Sequence, residues 1–330
     1  MEGAMVPVMN PPTAADDFLA ASGWAGSSIA PLAGDASFRR YFRVAEGARR
    51  AVLMDAPPPH EDPRPFIDIA TWLHERGFAA PAILAADLAH GLVLIEDFGD
   101  DRMREAIDAD PDAALGLYTI AVDLLVDLHR HDHAPLAAYD RAVLHREAAL
   151  MTEWYCPAVG IEADVAGYRA AWDAVFDLAL PQRPVTVLRD YHAENLMLIG
   201  ARGLGLLDFQ DALAGHAAYD LVSLLQDARR DVEPAIEAAM IDRYIQATGA
   251  GADFDAAYHI LGAQRNAKII GIFTRLWQRD GKPRYPSLCP RVWGYLERDL
   301  AHPALAPVAA WFAATIPPDR RGDPMLIGAA

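Results

Sequence analysis

The sequence has only two cysteines, Cys156 and Cys289, and neither stands in a C-x-x-C or a mixed Cys/His pattern. That excludes a disulfide scaffold and a thiolate metal centre, and it suits a reducing compartment. Positive charge is also scarce. With 29 Lys and Arg against 46 Asp and Glu, the formal net charge is −17. General binding to nucleic acid or to an anionic membrane is excluded, because phosphate would be repelled over most of the surface. No run of about 18 apolar residues occurs, so no membrane span is expected. The opening MEGAMVPVMNPPTAADD lacks a basic n-region and a long apolar core, and it reads as a frayed leader rather than a signal peptide. The expectation is a cytoplasmic monomer. What the chain does have is apolar residues, 53% of the total, ample for a large core.

The most informative stretch is 185–211, VTVLRDYHAENLMLIGARGLGLLDFQD. Three short apolar runs, 185–188, 196–199 and 204–207, are separated by a polar loop and then by a Gly-containing turn. The pattern reads as strand, loop and hairpin. The loop carries Asp190 and Asn195, and Asp208 stands at the exit of the last strand. Two carboxylates and one amide oxygen are thus expected to converge at one end of a small sheet. Hard oxygen donors of this kind suit Mg²⁺ and a phosphate.

Upstream, 29–33, 37–44 and 50–55 read as strands joined by tight turns. A helix is expected over 64–76, with Phe66, Ile69, Ala70 and Leu73 on one face and Gly77 as its stop. Strands follow at 82–87 and 92–96, and the EDFGD segment at 96–100 breaks the pattern. From 111–129 onward the spacing is almost entirely helical, at 141–154, 166–178, 217–229, 236–248, 255–277 and 291–300. The expected fold class is α+β: a five-stranded meander with one helix over 1–97, then a mostly helical region over 98–330 that embeds the loop and hairpin.

Phosphoryl transfer asks a protein for positioning, charge neutralisation and a group to accept the acceptor's proton. Asp and Asn also favour ordinary turns, so the weight lies in the combination. The D-x-x-x-x-N of Asp190 and Asn195, the hairpin, the Asp208-Phe209 pair and the Tyr219-Asp220-Leu221 triplet together resemble the catalytic segment of the aminoglycoside phosphotransferase and choline kinase branch of the protein-kinase-like fold. The resemblance implies a bilobal molecule using ATP and Mg²⁺, with a nucleotide-binding lobe over 1–97 and a catalytic and substrate-binding lobe over 98–330. It makes Asp190 the catalytic base, Asn195 and Asp208 the Mg²⁺ ligands, and Asp220 a brace for the loop. Family members carry His-Gly-Asp where this chain has Leu188-Arg189-Asp190. The AGDAS turn, with Gly34 and Ser37, falls where the family covers the phosphates. Leu94, Glu96 and Phe98 fall at its adenine-binding hinge.

One departure is sharper. Kinases place a lysine on the third strand to pair the phosphates, and this chain has Met54 there. Either Arg39, Arg40 or Arg43 on the preceding strand supplies the charge, with Arg43 taken as nucleotide-binding, or catalysis has been lost. The intact Asp190, Asn195 and Asp208 favour the first. Asp68, the acidic residue near the middle of the helix, reads as a solvated side chain.

The segments LAGDASFRRYFR, VLMDAPP, RDYHAENLM, LLDFQDALAGHAAYDLVSLLQDARRD and QRNAKIIGIFTRLWQRDGKPRY narrow the resemblance to the bacterial anomeric kinases for N-acetylmuramate and N-acetylglucosamine of cell-wall recycling. Met54 is then a mark of this branch, and a C1 hydroxyl deprotonated by Asp190 attacks the γ-phosphate. The implied partner is a small amino sugar. For the lactyl carboxylate of N-acetylmuramate, Lys268 and Arg275 are candidates, two turns apart on one helix face. Glu147, Trp154 and Tyr155 are candidates for the sugar hydroxyls and ring, and Arg189 and His192 flank the base. His129, His131 and His133 read as a helix end rather than a metal cluster. An aminoglycoside or choline-type kinase and a non-catalytic pseudokinase remain as competing readings.

Overall fold

A computed structural model describes residues 9–32 and 38–328 of the chain. Gly34 and Ser37, expected over the phosphates, lie outside the described residues. The chain divides into two compact units, one of residues 1–102 and 196–211 and the other of 103–195 and 212–330.

The first unit opens with α1 (Ala15–Ala21) and β1 (Ser28–Pro31), followed by β2 (Arg40–Glu46) and β3 (Arg49–Asp55). Next come α2 (Arg64–Glu75), β4 (Ile83–Asp87) and β5 (Leu92–Glu96). The strands form one antiparallel sheet in the order β1-β2-β3-β5-β4. The expected sequential meander is corrected here, since β5 inserts between β3 and β4. Burial explains the order. The first four residues of β5 are all buried, as suits an interior strand, whereas β4 alternates between exposed and half-buried positions and takes the edge.

Directly paired residues share a face of the sheet. Phe42, Leu53 and Leu94 are one such row, and Tyr41, Met54 and Val93 make up a row on the opposite face. The first face is covered by Phe18 and Leu19 of α1 and by Trp24, in a core with Val44, Ala51 and Leu92. Helix α1 escaped the sequence reading because seven residues are too short to show a periodic stripe. Helix α2 buries Phe66, Ile69, Ala70 and Leu73 as its spacing predicts, adds Trp72 and leaves Asp68 exposed.

Residues 185–215 hold four short strands, β6 (Val185–Val187), β7 (Leu196–Leu198), β8 (Leu204–Leu206) and β9 (Leu213–Gly215). They make two separate ribbons, β6 with β9 and β7 with β8, not the single small sheet expected. The β7–β8 hairpin groups with the first unit, so the expected division at 97/98 is also corrected. Backbone bonds hold the hairpin there: Leu198 N–H donates to the Asp101 carbonyl at 2.7 Å and Leu206 N–H to that of Ala79 at 2.8 Å.

The second unit comprises α3 (Met103–Ala109), α4 (Ala114–Leu128), α5 (Arg141–Ala148), α6 (Cys156–Ala158), α7 (Val165–Asp173), α8 (Ala218–Leu225), α9 (Pro234–Thr248), α10 (Asp253–Gln278), α11 (Cys289–Leu300), α12 (Ala306–Thr315) and α13 (Pro324–Ile327), with the β6–β9 ribbon. The long α10 is its central element and buries Gln264, Arg265 and Asn266 along with its apolar residues. Both cysteines are buried and unpaired. Among the described residues, no helix is long and apolar enough to cross a membrane.

Candidate active site

In the second unit, β6 delivers the chain to a loop whose backbone is pinned from below. Asp220, fully buried in the first turn of α8, accepts from Leu188 N–H at 2.6 Å and from Arg189 N–H at 2.8 Å. Burial raises its carboxyl to about 7 against the opposing pull of those two amides. The Ser223 hydroxyl donates to the Arg189 carbonyl at 3.0 Å and itself accepts from Arg265 at 2.8 Å. Arg189 has φ +72°, in the left-handed region that a bulky side chain rarely adopts. A backbone held there by three hydrogen bonds is over-determined, which is how strained loop geometry persists. The next residue is Asp190, half-buried. Asn195 Nδ2 donates to the Asp190 carbonyl at 2.9 Å, so its Oδ1 points away from that bond.

Glu147, Arg189 and Lys268, named separately as substrate contacts, come together as one buried cluster. The Glu147 carboxylate accepts from Lys268 Nζ at 3.1 Å, from Arg189 Nη2 and from the Tyr139 hydroxyl. Burial would raise its pKa, but Lys268 and Arg189 carry it below the ordinary glutamate value. Lys268 also donates to the Tyr219 hydroxyl at 3.2 Å. Tyr219, already marked by the Tyr219-Asp220-Leu221 triplet, and Tyr139 complete this cluster; Tyr139 carried no signal in the sequence beyond being aromatic. Arg275 does not join it; the charges around that side chain are Arg279, Asp280 and Glu153.

His192 is corrected from a substrate contact to an internal one. It is 4% exposed, and burial lowers its pKa to about 3, so the ring is neutral. Its Nε2 lies 3.3 Å from Arg229 Nη1 and 3.5 Å from Asn195 Nδ2, both donors, which assigns Nε2 as the acceptor. Trp154 and Tyr155 fall in a π-helical turn over Met151–Tyr155. Tyr155 is fully buried and donates to the carbonyl of Arg320, so it belongs to the core.

In the first unit, Asp208 leaves β8 with φ +59°; it and Arg189 are the two non-glycine residues with positive φ among the described residues. Gln210 Nε2 donates to Asp208 Oδ1 at 2.8 Å. The intervening Phe209 is fully buried and stacks on Phe66 of α2, with centroids 4.9 Å apart. That stacking anchors the backbone that presents Asp208.

The expected nucleotide residues of this unit scatter. Leu94 is not an adenine wall, because it sits in the core under α1, on the face opposite Met54. Glu96 spends its N–H on the Ala82 carbonyl, and its carboxylate accepts from Arg202 and from Ala82 N–H. Phe98 packs against Gly205, where an added Cβ would come within 2.6 Å of the ring, and lies beneath Arg202. Arg43 reaches Asp97 at 2.8 Å and Asp100 at 2.9 Å, so its charge is committed to two carboxylates.

The family model described as phosphotransferase enzyme family matches residues 28–258. The chain belongs to that family. A Caulobacter vibrioides protein named N-acetylmuramate/N-acetylglucosamine kinase is 39% identical, over 92% of this chain and 96% of its own length. A Pseudomonas aeruginosa protein of the same name is 42% identical over 88% and 90%. Solved structures of the same fold include a gentamicin-bound aminoglycoside phosphotransferase, 12% identical with a TM-score of 0.62 over 90% of this chain and 98% of that one. A choline kinase from Streptococcus pneumoniae is 13% identical with a TM-score of 0.61 over 84% and 93%. This phosphotransferase therefore has the kinase-like fold that the D-x-x-x-x-N loop and hairpin implied, with a small antiparallel sheet in one unit and a mostly helical second unit.

Proposed function

We propose that the protein is an ATP- and Mg²⁺-dependent kinase that phosphorylates the anomeric C1 hydroxyl of N-acetylmuramate and N-acetylglucosamine, acting as a cytoplasmic monomer. The observation that carries the reading is the loop 188–195, in which Asp220 and Ser223 fix the backbone on both sides of Arg189, the residue before Asp190. Asp190 takes the proton of the sugar C1 hydroxyl as the sugar oxygen attacks the γ-phosphorus and the β–γ phosphoanhydride bond breaks to release ADP. Holding that carboxylate in place beforehand removes an orientational cost from the barrier.

Asn195 and Asp208 would hold Mg²⁺. Both present hard oxygens, Asn195 with its nitrogen engaged elsewhere and Asp208 oriented by Gln210. Among the described residues no cluster of three or more His, Cys, Asp or Glu side chains forms a metal cage, and Mg²⁺ bound through one or two protein oxygens plus substrate phosphates needs none. When bound, the ion neutralises charge on the phosphate oxygens. Gly34 and Ser37 would lie over the phosphates, and Phe98 would border the adenine.

Lys268 and Arg189 share a single carboxylate, Glu147. Two cations beside one carboxylate would suit a sugar that itself bears a carboxylate. Incubation with ATP, Mg²⁺ and, separately, N-acetylmuramate, N-acetylglucosamine, an aminoglycoside and choline tests the assignment by product mass. The two sugars are expected to gain one phosphoryl group each. Turnover of only the aminoglycoside or choline overturns the substrate class, and no turnover of any substrate establishes the pseudokinase reading that Met54 raises.

A further inference from the structure

The chain has two lysines, Lys268 and Lys282, and both belong to the second unit. No lysine of the first unit can replace the one missing at Met54, which is itself fully buried between Tyr41 and Val93. A cation for the phosphates on this sheet must then be an arginine, and three stand nearby on or next to β2.

Their environments differ. Arg40 pairs opposite Asp55 on the face away from Met54, and its Nε donates to that buried carboxylate at 2.8 Å. Arg43 shares the Met54 face but is clamped by Asp97 and Asp100 at 2.8 and 2.9 Å. The Asp97 side chain is 4% exposed, so withdrawing Arg43 would leave a buried carboxylate without its cation. Arg39 is different. Strand alternation extended one residue places it on the Met54 face, two residues from Tyr41. Its guanidinium lies 3.7 Å from Glu61 and 3.7 Å from Asp211. The Asp211 side chain is 59% exposed, so solvent, and with it an anion, can reach this side of the guanidinium. Asp211 is three residues from Asp208, the proposed Mg²⁺ ligand of the same unit, and Arg39 follows the expected phosphate-covering turn in sequence.

We infer that Arg39 supplies the cation that grips the nucleotide's phosphates in place of the absent strand lysine, an inference that rests on the kinase reading above. The site takes a nucleoside di- or triphosphate. A planar guanidinium pairs with phosphate through two parallel N–H bonds, a geometry that a lysine ammonium does not offer. Glu61 and Asp211 hold the side chain in place until the phosphates arrive.

The test uses the full chain with Mg²⁺ and no sugar, measuring binding of ATP, ADP and adenosine by calorimetry. Arg39→Ala and Arg39→Gln are expected to weaken ATP and ADP by about tenfold or more, the loss of one charge-assisted contact, with adenosine affinity unchanged. Arg39→Lys is expected to regain part of the loss. Arg39→Gln keeps the stem of the side chain and serves if the alanine variant fails to fold. Wild-type ATP affinity in Arg39→Gln, or equal weakening of ATP and adenosine, overturns the assignment. Failure of the wild-type protein to bind ATP overturns the kinase reading itself, and the inference with it.

Discussion

The Glu147 carboxylate lies 3.1 Å from the Lys268 ammonium and is shared with Arg189, so one buried anion holds two cations beside the step into Asp190. Removing the anion and keeping its shape would leave those two half-buried cations, 20% and 13% exposed, facing each other. Glu147→Gln is therefore expected to lower the unfolding free energy by roughly 3–5 kcal/mol, the cost of breaking a buried ion pair. Urea denaturation checks this, and a change below about 1 kcal/mol would mean that the cluster is solvated like a surface pair.

Asp190→Asn keeps the shape of the loop and removes the base. Turnover is expected to fall by about 10²- to 10⁴-fold, the usual contribution of a general base, with ATP affinity and melting temperature near those of the wild type. A coupled assay for ADP release measures the first and calorimetry the second. Activity within threefold of wild type would assign the proton transfer to another group.

Asp220 gives a pH signature. Its folded pKa is raised to about 7 from the ordinary 3.8, so its contribution to stability is fully present below the unfolded value and is lost as pH rises through the folded one. His129, His192 and His216, lowered by burial to about 3, 3 and 4, act with the opposite sign and cost stability as pH falls below 6.5. Comparing the wild type with Asp220→Asn cancels the histidines. The variant is expected to be less stable overall, because one amide loses its acceptor, and its deficit should narrow between about pH 4 and about pH 7. A deficit constant across that window, read by denaturant titration, contradicts a proton held on Asp220.

Gly205 has no room for a methyl group, since the added carbon would meet the Phe98 ring at 2.6 Å. Gly205→Ala is expected to displace Phe98, costing about 1–3 kcal/mol as overpacking does. It should raise the KM for ATP while leaving that for the sugar unchanged. Steady-state kinetics with each substrate varied in turn separates the two, and equal effects on both would place Phe98 outside the adenine site.

The loop residues were legible because their signal is local: Asp190 and Asn195 are one short spacing apart, and the hairpin and Asp208 follow at once. The helices of the second unit were legible by periodicity. Strand order was not, because alternation in β4 reports exposure and names no neighbour. The face of Leu94 was hidden for a related reason: in an all-apolar run no polar position marks which side looks outward. Glu147 and Lys268 were both picked out as polar groups for a sugar. That they satisfy one another could not be read from the sequence, since a long-range pair leaves no trace in the spacing of either partner.

The hairpin over 196–211 groups with a unit whose other residues end at 102. During synthesis the first hundred residues therefore leave the ribosome without two of their strands, and about ninety residues of the second unit intervene before those strands appear. Chain is added at roughly 5–20 residues per second, so the early sheet waits some seconds with Ala79 lacking its hairpin neighbour, Gly205. The small unit can be finished only after the loop bearing Asp190 has been made, which orders its maturation behind the segment it is to serve.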